Sequence, residues 1–230
     1  MNDGINHLVR QLLFSVFLEE TASEEEKCMD VKGFIHDSLE KLKALGIDAV
    51  IAENALVKSV LSMPADMLED MEEKEILGLL LDNLAIGIRE KETDELFCMS
   101  GQIYSFDMEV FGIEEMYTSF IEGLSKIVKD DFIFTDIEED ASRVDFESGT
   151  GIQTIRFQCN EKVCRYDANV EYDWFDTGML TYMNQVIKEC NTGKCLYVTS
   201  DGWQNCILFY QTEEWAQHFQ ELLGITLQMA

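Results

Sequence analysis

The stretch that most constrains this chain runs from Cys195 to Leu223. It reads Cys-Leu-Tyr-Val-Thr-Ser, then Asp201-Gly202, then Trp-Gln-Asn-Cys-Ile-Leu-Phe-Tyr, then a helical pattern. Two β-prone runs separated by Asp-Gly predict a hairpin closed by a two-residue type I′ turn, whose central residues both need positive φ. Thr212 is placed to cap the helix that follows, with Glu213 and Glu214 in a first turn where the helix dipole favours negative charge. Trp215, Phe219, Leu222 and Leu223 fall on one face of that helix, and Gly224 is a stop signal. The best-specified unit is therefore a hairpin with a helix packed on it.

Upstream, helical periodicity comes first and strand periodicity later. Ile5–Glu19 carries Ile5, Leu8, Val9, Leu12, Leu13, Val16 and Phe17 on one helical face. Ser23 and Glu26 have capping-box spacing for a second helix, lined by Cys28, Val31, Ile35, Leu39, Leu42 and Leu45 and ended by Gly46. Asp48 is placed to cap a third, carrying Leu56, Val57, Val60 and Leu61, which must stop before Pro64. A fourth is predicted from about Glu72 to Arg89, with Leu77, Leu80, Leu81, Leu84 and Ile88 inward.

The period then changes. Leu96–Met99 and Gln102–Phe106 read as extended, Ile113–Val128 as a helix, and Phe132–Ile137 as a strand leading into an acidic loop. Ile152–Cys159, a turn at Asn160–Lys162 and Val163–Tyr172 predict a second hairpin, and Met179–Glu189 a helix capped by Asp176 or Thr177. The fold class is α+β: a helical region over residues 1–92, then a region over residues 93–230 with an antiparallel sheet of about five strands and helices packed on it. The two regions are able to form one continuous domain, since one proline and no Gly/Ser-rich linker mark no boundary.

Charge limits the partners. The net charge is −28 and is not confined to a tail: residues 1–112 hold 24 acidic and 9 basic side chains, residues 113–230 hold 21 and 8. Such a surface repels phosphate backbones and anionic membranes and favours cationic partners, so neither nucleic acid nor membrane is expected. The apolar run Leu12–Leu18 lacks a basic n-region and a small-residue cleavage site, and no run is long enough to span a bilayer. A cytoplasmic location is expected. Seven cysteines, mostly among apolar neighbours, read as reduced, buried thiols.

Familiar chemistries fit poorly. Gly149-Thr150-Gly151 precedes a strand, whereas a phosphate-cradling loop opens a helix. Cys159/Cys164 and Cys190/Cys195 are spaced too widely for zinc knuckles. The acidic belt Asp130–Glu147 lacks the central glycine and ligand spacing of a calcium loop. His7, His36 and His218 belong to no His-Glu-x-x-His motif, and there is no Gly-x-Ser-x-Gly elbow. No catalytic, cofactor-binding or metal-ligating residue is assigned.

What remains is a set of aromatics beside polar groups at turns: Asp173 and Trp174 in one, Asp201, Trp203 and Gln204 in another. With Asp136, Glu138, Glu139 and Asp140 of the acidic belt, these suit a docking surface for a basic protein. Trp203, just past the hairpin tip, is the better anchor, since Trp174 precedes a helix and can be core. The expected function is a non-enzymatic protein-binding module of immunity-protein or antitoxin type, an analogy resting on size and charge. The alternatives are a small hydrolase or transferase with a carboxylate or thiol site, and a structural or adaptor protein whose charge serves solubility.

Overall fold

A computed structural model of the chain describes residues 30–48, 52–64, 67–68, 71–91, 93, 96–110 and 113–230. In chain order its elements are α1 (Val31–Ala44), α2 (Glu53–Val60), α3 (Glu73–Ala85), β1 (Gly87–Arg89), β2 (Leu96–Cys98), β3 (Ile103–Asp107), α4 (Met116–Val128), β4 (Phe134–Asp145), β5 (Thr150–Cys159), β6 (Lys162–Glu171), α5 (Gly178–Glu189), β7 (Cys195–Ser200), β8 (Asn205–Gln211), α6 (Glu213–Leu223) and β9 (Gln228–Met229). The class is α+β, with antiparallel strand pairing throughout the sheets. The helix expected over Ile5–Glu19 and the Ser23/Glu26 capping box lie outside the described residues.

Strand β8 is the axis of the fold. Its residues Cys206–Tyr210 are buried without a break, as a strand covered on both faces requires. It sits between β3 and β7 in a four-stranded sheet of order β3-β8-β7-β9. Ile207 and Phe209 face α1–α3 and α6, together with Ile103 and Tyr197. Leu208, Tyr210 and Leu196 face the other way, into a core shared with α4 and α5. Beyond those two helices lies a separate three-stranded sheet, β4-β5-β6, which contributes Ile155, Phe157 and Ala168 to the same core.

The single sheet of about five strands expected from the sequence is thus two larger sheets with α4 and α5 between them, and β2 pairs with β1 in a third sheet of two strands. The β5–β6 and β7–β8 hairpins do form, but α5 packs against both β6 and β7 and keeps them from pairing. The described part of the first third is helical and covers one face of the four-stranded sheet. Trp215 of α6 donates its indole N–H to the Leu45 carbonyl at 2.9 Å, tying the two ends of this layer together.

Local signals fared unevenly. Thr212 caps α6 by accepting from the Trp215 N–H at 3.2 Å, and Gly224 closes it in the left-handed region, as expected. Asp30 caps α1 through the Gly33 N–H, and Ala52, not Asp48, stands at the start of α2. Helix α3 begins in a Glu72/Glu75 capping box but ends at Ala85, four residues early. Ile86 turns extended and Gly87–Arg89 pairs with β2, so Ile88 belongs to a strand. Glu115 takes a positive φ and delays α4 to Met116. The Asp201-Gly202 hairpin is wider than a two-residue turn. The last β7–β8 pair is Ser200↔Cys206, which leaves Asp201–Asn205 as the connection. Only Gly202 has a positive φ there; Asp201 instead accepts from the N–H groups of Trp203 at 2.8 Å and Asn205 at 3.3 Å, an Asx-type turn.

Candidate docking site

Three segments distant in sequence meet at one end of the four-stranded sheet. The first is the Asp201–Asn205 loop. Asp201 is 5% exposed, and its backbone lies against α3 at Gly78, where an added Cβ would stand 3.0 Å from the Asp201 carbonyl oxygen. The tip is therefore clamped under the helix, and the next residue but one, Trp203, is left 61% exposed. The second segment is Tyr172–Phe175. Phe175 enters the core against Phe106, Tyr117 and Phe120, with ring centroids at 4.8, 5.0 and 5.0 Å. Its neighbour Trp174 is 43% exposed, so the core residue of this turn is Phe175 and not Trp174.

The third segment joins the other two. Met108 donates its N–H to the Gln204 carbonyl at 3.1 Å, and its own carbonyl accepts from Phe175 at 2.8 Å. Val110 donates to the Asp173 carbonyl at 3.0 Å, and Glu109 forms a bridge with Trp174. The Gln204 side-chain amide donates to the Glu109 carboxylate. Sequence reading did not single out Met108–Val110, because Asp-Met-Glu-Val carries no turn or motif signal. Its position directly after the extended segment Gln102–Phe106 was the one available hint.

The acidic belt is placed elsewhere. It is not a loop but strand β4, with bulges between Thr135 and Glu138 and between Asp140 and Arg143. Glu139 points inward. It accepts from the Thr118 N–H at 2.6 Å and from Gln153 at 2.6 Å, supplying α4 with the cap that Glu115 does not provide. Burial pushes its pKa up, against the opposing pull of the Thr118 hydrogen bonds. Asp136 accepts from the Gln158 amide at 2.6 Å and Asp140 from the Ser142 N–H at 3.0 Å. Glu138 stands opposite Arg156. By register Asp140 aligns with Asp167, and Glu138 with Arg165, four and six residues before the end of β6. Asp140 and Glu138 therefore lie roughly 13 to 20 Å along the sheet from the Tyr172 turn, whereas the belt's far end at Asp145, opposite Thr150, which in turn pairs with Glu171, lies beside it.

This outer sheet face is not purely acidic. Of the chain's five arginines, Arg143, Arg156 and Arg165 are here. Arg143 and Arg165 both pair with Asp167 at 3.0 Å, and the Thr154 hydroxyl donates to the same carboxylate at 2.6 Å. The Thr154 hydrogen bond and the two guanidinium groups hold the Asp167 pKa below its ordinary range.

Beside Trp203 runs a cleft of about 850 Å³ between the β7–β8 connection, β9 and the start of α5. Met108, Leu180, Val198 and Met229 line it, with Glu72, Glu75, Asp201 and Lys74 among its charged groups. Cys206 also lines it, but burial pushes that thiol up to about 12, which makes it a poor nucleophile at neutral pH. Cys159 and Cys164 are free thiols in the core; Cys164 pairs with Phe157, so the two sulfurs are diagonal neighbours and not directly opposed. Among the described residues no group of three or more His, Cys, Asp or Glu side chains is arranged to hold a metal ion. His36 and His218 are exposed beside Glu53 and Glu221, and His7 lies outside the described residues. No helix among the described residues is long and apolar enough to cross a membrane.

Comparisons with protein-family models, curated proteins and solved structures match nothing to this chain.

Proposed function

We propose that this protein is a binding module for a basic protein, of the kind that masks a cationic partner, and that it docks through the end of the molecule where the segments carrying Trp174, Trp203 and Gln204 meet. The observation that carries the reading is the assembly of three separate segments there, leaving two tryptophans exposed beside carboxylates of Glu109, Glu171 and Asp173. Aromatic side chains exposed on a rigid backbone and rimmed by charge are the composition of an interface centre. The net charge of −28 supplies long-range attraction for a cation and speeds encounter.

The roles divide by position. Trp203 and Trp174 act as anchors, Gln204 and Asp173 as their polar rim, and Asp201 holds the loop from beneath. Asp136, Glu138 and Asp140 act as outlying steering charges, partly offset by the neighbouring arginines. Glu139 serves α4 and is not counted in the surface.

The test is capture from native cell extract at low and high salt with three proteins: wild type, Trp203→Ala, and a triple variant neutralising Asp136, Glu138 and Asp140. The reading expects one basic protein captured at low salt, faster dissociation from Trp203→Ala, and slower association with a flatter salt dependence for the triple variant. Capture that is indifferent to salt and to both variants contradicts it.

A further inference from the structure

The outer edge of β7 is where the structure points beyond docking. Asn184 of α5 bonds both backbone groups of Leu196: its amide donates to the Leu196 carbonyl at 3.0 Å, and its Oδ1 accepts from the Leu196 N–H at 2.6 Å. Leu196 therefore turns its N–H and C=O away from β8. Backbone direction alternates along an antiparallel strand, so Val198 and Ser200 turn theirs the same way. The Val198 position is met by Gln228 of β9, and the Ala230 N–H reaches the Leu196 carbonyl at 3.0 Å. Continued in register, Thr226 would meet Ser200, but strand pairing stops at Gln228. Ser200 is exposed, lines the cleft, and its main-chain groups face that edge with no strand partner among the described residues.

We propose that the β7 edge from Val198 to Ser200 is a strand acceptor, and that an extended segment of the basic partner adds to it antiparallel, displacing β9. This deepens the docking reading and rests on it. β9 is two residues long and exposed, and it already shows the pairing mode this edge accepts. The exchange replaces the backbone bonds of β9 with equivalent ones, gives up the bond from the Asn184 amide to the Ala230 carbonyl at 2.7 Å, and adds the bonds of Ser200, so side chains decide the balance. Carboxylates of Glu72, Glu75 and Asp201 against the single ammonium of Lys74 give the cleft a negative surplus, which selects lysine- or arginine-flanked strands. The same charge disfavours a second copy of this chain as the occupant. Trp203 stands over the same cleft, so anchor and added strand belong to one footprint.

The probe is a fluorescent peptide repeating residues 225–230 with two lysines added at each end, titrated into the full chain. Three comparisons accompany it: the same peptide flanked by glutamates, the lysine peptide N-methylated on alternate residues, and the protein variant Gln228→Pro, which removes a β9 N–H. The proposal expects the lysine peptide to bind, the glutamate peptide and the N-methylated peptide to lose about tenfold or more, and Gln228→Pro to gain about tenfold. N-methylation acts on the peptide, so no folding defect can mimic its effect. If N-methylation and Gln228→Pro change nothing while Trp203→Ala abolishes binding, strand addition is wrong and aromatic docking stands. If the glutamate peptide binds as well as the lysine peptide, the basic-partner reading falls with it.

Discussion

The two sheets are built from the same kinds of residue but solve different problems. The four-stranded sheet is covered on both faces, and its central strand β8 is apolar at five successive positions, Cys206–Tyr210. The three-stranded sheet buries one face only, and β6 alternates: Cys164, Ala168 and Val170 go inward while Arg165 and Asp167 look out. Stability should therefore reside in the first sheet. The second should tolerate change on its outer face, where its charges stand in solvent.

The largest contrast should come from Phe209→Ala. Phe209 is fully buried against Trp215 and Phe219, at ring-centroid distances of 5.8 and 5.1 Å. Urea denaturation should show a loss of about 3–5 kcal/mol. A loss below about 1 kcal/mol would mean that this sheet is not the stable half.

Next is Gly123→Ala. A Cβ at Gly123 would overlap the Tyr104 ring where α4 rests on β3, and that ring is held in the core. The expected cost is about 1–3 kcal/mol despite the better helix propensity of alanine. In a Tyr104→Ala background the cost should disappear or reverse, which separates overpacking from any intrinsic helix effect.

A smaller effect is pH-dependent. The Asp82 Oδ1 atom is buried without a hydrogen-bond partner, and burial, with Asp201 and Asp107 nearby, raises the carboxyl pKa above its ordinary 3.8 against hydrogen bonds from Ser105 and Asn205. The folded state thus binds this proton more tightly than the unfolded state. The favourable contribution is full below 3.8 and is lost as pH rises through the raised value. Asp82→Asn should gain melting temperature relative to wild type across that window and hold the gain at neutral pH. A constant difference between pH 3 and 7 would show that Asp82 titrates normally.

The smallest change should follow Arg165→Ala. Its ion pair with Asp167 at 3.0 Å is solvent-exposed, which leaves it little to contribute to stability. In high salt the difference from wild type should vanish. A loss like that of Phe209→Ala would erase the distinction between the two sheets.

The parts legible in the sequence were those whose signal is local. The Thr212 cap, the Gly224 stop, the strands of β5 and β6 and the apolar faces of α1 to α5 all follow from spacing within one element. The turn at Asp201-Gly202 was legible as a turn but not as its type, because the contact with Gly78 and the Asx hydrogen bonds come from tertiary packing. The division into two sheets was not legible, since nothing in β6 or β7 records that α5 separates them. For the candidate site, Trp203 and Gln204 were found by position in a hairpin. The joining role of Glu109 was hidden, as was the diversion of Glu139 into capping a helix 21 residues earlier in the chain.

Trp203→Ala tests the central claim most directly, with thermal unfolding and partner dissociation measured on the same preparation. A side chain that stands 61% exposed on a loop held from beneath by Asp201 should contribute little to folding. The melting temperature should stay within about 2 °C of wild type while the dissociation rate rises about thirtyfold or more, the effect of losing roughly 2 kcal/mol of anchor. A melting temperature lowered by many degrees with capture intact would make Trp203 a core residue and place the interface elsewhere.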